Sequence, residues 1–351
     1  MFTAWPGVIA RYRDWLELAA DASPVTLLEG NTPLIPLSRL ASELGAEAIL
    51  VKYEGLNPTG SFKDRGMTVA ITDAAHRGAK AVICASTGNT AASAAAYAAR
   101  AGLRCLVVVP QAKVAAGKLA GAQAYRAEII QLEGSFDQAL ELVRAASEKL
   151  PVALVNSLNP YRLEGQKTVV FEIIEALERS PDWLALPVGN AGNITAIWKG
   201  FCEHHQLHGT AKPRLLGVQA AGAAPLVLGH PVENPDTVAT AIRIGRPARA
   251  QEALAAASES DGRIVATPDE AIIAAQERLA GEGIWVEPAS AAGIAGLIQE
   301  VSAGRMDIRG KTVVVIATGH GLKDPGIITE RYVMEPPIPA DLASLEKKIG
   351  P

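Results

Sequence analysis

Apolar positions along the chain follow two periods that take turns. Short runs rich in valine, isoleucine and leucine predict strands at residues 48–53, 80–85, 104–110, 128–132, 152–156, 184–188, 214–219 and 311–318. Between and after them, alanine-rich stretches with apolar residues three and four apart predict helices at residues 64–77, 91–101, 135–150, 163–178, 195–205, 268–281 and 289–303. Strand, loop, helix, strand at this spacing implies an α/β fold of mostly parallel sheets flanked by helices. Ligands in such folds sit at the carboxyl ends of strands, so the loops that leave the strands are where chemistry is to be sought. Composition marks no linker and no repeat. The tail, residues 336–351, is proline-rich and then charged, and is expected to pack loosely.

Length and composition narrow the class. With 351 residues the chain is long enough for one large or two medium domains, and 49% apolar against 20% charged residues is ordinary for a soluble globular enzyme. A net charge of −4, with no run of lysines or arginines, argues against a nucleic-acid footprint. The three cysteines, Cys84, Cys105 and Cys202, are few, odd in number and widely spaced, as in a reducing compartment; Cys84 and Cys105 fall in strand-like runs and are expected to be buried thiols. The N-terminus has neither the basic start nor the cleavage site of a signal peptide, and the longest uncharged stretch, residues 81–99, carries too many polar residues for a good membrane span. A cytoplasmic protein without membrane or nucleic-acid partners is expected.

Four motifs leave predicted strands. NPTGSFKDRG, residues 57–66, places Lys63 at the start of a helix, where the positive end of the macrodipole disfavours the ammonium form; a neutral amine is what Schiff-base chemistry requires. A lone lysine in a turn is usually a surface residue, and its neighbours change that weighting. Ser86-Thr87-Gly88-Asn89-Thr90 gathers hydroxyls, an amide and helix N-terminal N–H groups, which suit a carboxylate or phosphate as well as they suit plain capping. Gly189-Asn190-Ala191-Gly192-Asn193 presents small residues before a helix, so backbone N–H groups can approach a phosphate; it lacks the spacing of the dinucleotide fingerprint. Ala317-Thr318-Gly319-His320-Gly321 sets a hydroxyl at a strand end with glycines behind it, open to a planar ring, although by itself it reads more readily as a turn.

Other patterns are discarded. The glycines and lysine between residues 304 and 312 mimic a P-loop but have the wrong spacing and precede their strand. His204, His205 and His208 have helical ligand spacing without a cysteine or carboxylate set to complete a metal site, so no metal is expected. No Gly-x-Ser-x-Gly elbow supports a hydrolase.

Together the four motifs resemble the pyridoxal-phosphate (PLP) enzymes of the tryptophan-synthase-β-like fold, fold type II. The strings NPTGSFKDRG, STGNTAASAAAYAA, NSLNPYRLEGQKT, PVGNAGNIT, QAAGAAPLVLG, ATAIRIG, EPASAA and TGHGLKDP resemble the threonine synthase family, over residues 30–325. The lysine motif is shared with cysteine synthases and threonine dehydratases; the GNAGN and RLEGQKT strings are more specific. The resemblance implies a two-domain fold: residues 51–156 as a smaller inserted domain, residues 1–50 and 157–351 as a larger one, and the active site between them. It implies that Lys63 holds the PLP, that Asn89 meets its phenolic oxygen, and that Gly189, Asn190, Ala191, Gly192 and Asn193 bind its phosphate. It further implies that Thr318 meets the ring nitrogen. Ser86, Thr87 and Thr90 would bind the substrate carboxylate or phosphate, and Lys118, Asn156, Ser157 and Arg162 would lie near the substrate phosphate. Phe62 would pack, and Glu287 lies beside the site without an assigned role. The implied reaction converts O-phosphohomoserine and water to threonine and phosphate, in a homodimer. Alternatives are a dehydratase or cysteine synthase of the same fold, or a PLP-binding regulatory protein.

Overall fold

Parallel strands need crossover connections, and helices supply them while covering both faces of the sheet. The computed structural model describes residues 4–111, 116–134, 136–332 and 334–350. Among these the strands are β1 Leu34–Pro36, β2 Ala48–Tyr53, β3 Ala81–Ala85, β4 Arg104–Pro110, β5 Glu128–Leu132, β6 Val152–Leu154, β7 Trp183–Pro187, β8 Arg214–Ala220, β9 Arg263–Thr267 and β10 Thr312–Ala317. The helices are α1 Val8–Arg11, α2 Ser38–Leu44, α3 Lys63–His76, α4 Asn89–Arg100, α5 Ala116–Ala124, α6 Phe136–Lys149 and α7 Pro160–Leu177, then α8 Gly192–His208, α9 Pro225–Leu228, α10 Ala250–Glu259, α11 Asp269–Gly281, α12 Pro288–Ser302, α13 Gly326–Arg331 and α14 Leu342–Ile349.

The strands form two sheets, a six-stranded one in the order β1-β2-β10-β7-β8-β9 and a four-stranded one in the order β5-β4-β3-β6. Every pairing is parallel except that of β1 with β2. Strand β10 shows why its residues are apolar throughout. Val313 and Val315 join the core beneath α11 and α12, while Val314 and Ile316 join the core beneath α7 and α8. The smaller sheet interrupts the larger one between β2 and β7. Strand β2 pairs on both sides within the larger sheet, so the domain edge expected at residue 51 falls in the middle of one of that sheet's strands.

Helix α3 is pressed against α7 where each carries a glycine. A Cβ on Gly165 would lie 1.8 Å from the Arg65 carbonyl oxygen, and one on Gly66 would lie 2.7 Å from Arg162. A buried ion network completes the joint. Arg65 donates to Glu54 at 2.6 and 2.8 Å and to Glu172 at 2.7 and 2.8 Å, and Lys52 donates to Glu172 at 2.7 Å. Such carboxylates are tolerable inside the protein because each meets a cation and several donors. The network ties β2, α3 and α7 into one unit, and Lys63 opens α3.

The C-terminal tail forms a short helix, α14, that buries none of its residues and is capped by the Asp341 carboxylate accepting from the Ser344 N–H. Cys84 and Cys105 are buried and Cys202 is half-buried. No helix among the described residues is long and apolar enough to cross a membrane.

Candidate active site

Three segments distant in sequence interlock just beyond the carboxyl ends of β2 and β10. Ser61 bridges Gly319, the Phe62 N–H donates to the Thr318 carbonyl at 2.9 Å, and the His320 N–H donates to the Gly60 carbonyl at 2.9 Å. The third segment joins through Val286, which bridges His320, and through the Glu287 N–H, which donates to the Gly319 carbonyl at 3.1 Å. Lys63 follows this knot as the first residue of α3, half-buried, with its amine 3.7 Å from the centre of the Phe62 ring. Burial, aided by the Arg162 guanidinium and opposed by the Glu287 carboxylate, lowers the amine to about 7. Much of it is therefore neutral, and nucleophilic, near neutral pH.

Thr318 directly follows β10, its hydroxyl 2.8 Å from that of Ser290, and the Ser290 oxygen also accepts the Gly319 N–H at 2.7 Å. Gly319 has no room for a side chain, since a Cβ there would stand 2.5 Å from the Glu287 carboxylate.

On the smaller sheet, Ser86, Thr87, Gly88, Asn89 and Thr90 leave β3 and open α4, all half-buried and without a side-chain cap on the helix. Asn89 reaches across to the larger unit, its amide nitrogen 3.1 and 3.0 Å from the two oxygens of Glu287. Asn156 braces the same loop, accepting from the Ala85 N–H and donating to the Ala85 carbonyl, both at 2.9 Å. Its oxygen and one of its two amide protons are committed to the backbone, which leaves a second N–H for another acceptor such as the substrate phosphate expected nearby.

Ser157 comes next, and its hydroxyl accepts from the Asn190 amide at 3.1 Å. The other side of that amide accepts the Ala248 N–H at 2.7 Å. Gly189 lies under residue 242, where a Cβ would come 2.9 Å from the Ile242 Cα. Ala191 turns the chain into α8 at φ +64, a left-handed conformation that is uncommon away from glycine and carries local strain. The start of α8 lacks a side-chain cap, nothing lies within 4 Å of where a Gly192 Cβ would be, and the Asn193 amide nitrogen is buried without a partner. Uncapped N–H groups, open space and an unpaired buried donor together make a seat for an anion.

Arg162, in the first turn of α7, lies nearby. It is 2% exposed, donates to the Val155 carbonyl at 2.8 Å, and has a buried Nε with no partner. Among the described residues no carboxylate forms an ion pair with it, and burial lowers it to about 10. Its Nε lies against Gly66 of α3, and a buried cation without a counter-ion favours an anion beside it. Lys118 lies on α5, which packs on α4 through Gly121 and Ala92, but its side chain is outside the described residues.

The structure thus links Lys63, Thr318 and Asn89 through one knot, and joins Ser157 to Asn190 in a separate contact. Reasoning from sequence passed over Ser290 and gave Glu287 no role. Both lie in the string EPAS at the start of α12, and their partners are 28 and 198 residues away.

The family model for pyridoxal-phosphate dependent enzymes matches residues 25–319. The threonine synthase of Mycobacterium tuberculosis is 57% identical over 349 residues, covering 99% of this chain and 96% of that protein. The threonine synthase of Halalkalibacterium halodurans is 53% identical, covering 95% and 94%. That of Methanocaldococcus jannaschii is 50% identical, covering 90% and 80%. Among solved structures, the processed threonine deaminase isoform 2 of Solanum lycopersicum superposes with a TM-score of 0.75 at 24% identity, over 92% of each chain. Maize serine racemase superposes with a TM-score of 0.74 at 20% identity, over 93% and 94%. These two likenesses carry the fold, fold type II, and the sequence relatives carry more. A lysine amine held near neutrality, an anion seat at the start of α8 and a hydroxyl at the end of β10 fit a phosphorylated aldehyde with a pyridine ring. The chain belongs to the pyridoxal-phosphate-dependent enzymes and, within them, to the threonine synthase family.

Proposed function

We propose that the protein converts O-phosphohomoserine and water to threonine and phosphate, with PLP as cofactor, as a cytoplasmic homodimer. The observation that carries the substrate choice is Arg162, a buried guanidinium with an unpartnered Nε, in electrostatic range of Lys63 and distinct from the seat at α8. One anion site suffices for a cofactor; a second suits a substrate that brings its own phosphate. Arginine also offers the planar, two-pronged donation that phosphate oxygens accept best.

In this reading PLP, when bound, supplies the electron sink for negative charge developing beside the substrate nitrogen. Lys63 would hold the cofactor covalently and, once freed from it, would be the base that takes the Cα proton; after handing that proton on it would be neutral again and could take a proton from Cβ. Gly189, Asn190, Ala191, Gly192 and Asn193 receive the cofactor phosphate on backbone N–H groups, with the Asn190 side chain left to brace the loop. Thr318, oriented by Ser290, meets the ring nitrogen as a neutral hydroxyl, and Asn89 meets the phenolic oxygen. Ser86, Thr87 and Thr90 bind the substrate carboxylate. Arg162, Lys118 and Ser157 bind its phosphate, which leaves from Cγ before water adds at Cβ.

Replacing Arg162 by Ala tests the substrate assignment. KM for O-phosphohomoserine is expected to rise about tenfold or more, the scale of one lost charge-assisted contact, while the cofactor's visible absorbance is kept. Loss of absorbance in step with activity would make Arg162 a structural residue and remove the support it lends to a phosphorylated substrate.

A further inference from the structure

We infer that Glu287 is a positioning residue that acts through Asn89. It fixes the Asn89 amide so that an N–H, rather than the carbonyl oxygen, faces the cofactor's phenolic oxygen. The inference rests on the part proposed above for Asn89.

An asparagine side chain can present either its carbonyl or its NH2 group to a neighbour, and the two arrangements differ little in shape. Glu287 removes the choice. It is 3% exposed, and both its oxygens lie within 3.1 Å of the Asn89 amide nitrogen. A carboxylate only accepts, so it selects the NH2 face; the other orientation would set acceptor against acceptor. The NH2 group carries two protons. One is taken by Glu287, and the second is left for another acceptor, which is what a phenolate requires.

Glu287 is itself well held. Its N–H donates to the Gly319 carbonyl at 3.1 Å, and its carboxylate fills the space that a side chain on Gly319 would need. Gly319 adjoins Thr318. In the pyridine ring of PLP the phenolic carbon is separated from the nitrogen by a single carbon, so Asn89 and Thr318 serve neighbouring positions on one edge. Glu287 touches the residues that support both. The charged groups facing it are Lys63, Lys323 and Asp324, and the Asn89 contact is the one that reaches across from the smaller sheet to the larger unit.

The test is a double-mutant cycle read on cofactor binding, without substrate. Apoprotein of the wild type, Glu287→Gln, Asn89→Ala and the double variant is titrated with PLP, and affinity and the position of the visible absorbance band are recorded. Glu287→Gln, nearly isosteric, is expected to weaken PLP binding about tenfold and to move the band, because a carboxamide accepts either face of Asn89. When the titrations are run well above pH 7, so that Lys63 is neutral with or without the Glu287 charge, the same substitution in the Asn89→Ala background is expected to change neither readout. Glu287→Asp, which keeps the carboxylate, should retain more affinity than Gln. Multiplying losses in the double variant, an unshifted band in Glu287→Gln, or a Gln variant no worse than Asp would each overturn the inference. Because no substrate is present, an error in the substrate assignment would leave these outcomes unchanged.

Discussion

Lys63 has a depressed amine because burial and the Arg162 guanidinium outweigh the Glu287 carboxylate. The neutral form is the one that attacks an aldehyde, so the rate at which apoprotein captures PLP is expected to rise with pH through about 7 and to level off above it. Removing Arg162 takes a cation away, which should move that midpoint upward; stopped-flow absorbance over a range of pH measures both. An unmoved midpoint in Arg162→Ala would mean that burial alone tunes the lysine. At this scale much of the site was legible in advance, because Lys63, Asn89, the 189–193 loop and Thr318 stand in short strings that follow strands. Ser290 was not legible. Its hydroxyl gains meaning only from Thr318, 28 residues on, and nothing in the local sequence separates it from an ordinary serine in a first helical turn. Asn156 stands in a readable string as well, while its two bonds to the Ala85 backbone, 71 residues away, were not legible.

Helices α3 and α7 meet at glycines, and the contact allows no added methyl group. Gly165→Ala would bring its Cβ to 1.8 Å from the Arg65 carbonyl, so α3 must move and carry Lys63 with it. Overpacking of this kind costs about 1–3 kcal/mol, and a lowered denaturation midpoint together with weakened cofactor binding is expected. The ion network beside it makes a pH-dependent contribution with a definite sign. Burial pushes the Glu172 carboxyl up, but the Arg65 guanidinium and the Lys52 ammonium more than offset this and hold it at about 2, against 4.5 in the unfolded chain. A carboxylate depressed in the folded state stabilises fully above the unfolded value and loses that contribution as pH falls from about 4.5 toward 2. Glu172→Gln should therefore be destabilised by about 3 kcal/mol at neutral pH, with the gap to wild type closing as pH falls through that window. Thermal denaturation at several pH values checks it, and a gap independent of pH would assign the cost to packing. The strands that periodicity missed, β1 and β9, are the two edges of the larger sheet. A three-residue strand ending in proline and a five-residue strand of mixed burial have too little pattern of their own; neighbouring strands decide that they pair.

Two mostly parallel sheets, the strands of the smaller lying in sequence between β2 and β7 of the larger, place most proposed contacts on loops at the carboxyl ends of strands or on the helices those loops begin, while Glu287 and Ser290 come from the link between α11 and α12. The alternation of apolar runs and alanine-rich helices was enough to predict this architecture. The division between the units was harder to read, because β2 and the segment leading to Lys63 are continuous in composition and only pairing shows that the strand belongs wholly to the larger sheet. In the proposed function the two anion seats hold two different phosphates, the cofactor's and the substrate's. The most direct test incubates the PLP-loaded protein with O-phosphohomoserine and follows threonine and inorganic phosphate together, beside a Lys63→Ala control. Both products are expected in equal amounts, and neither in the control. PLP-loaded protein that releases neither product from O-phosphohomoserine, or that releases phosphate without threonine, would contradict the proposed function.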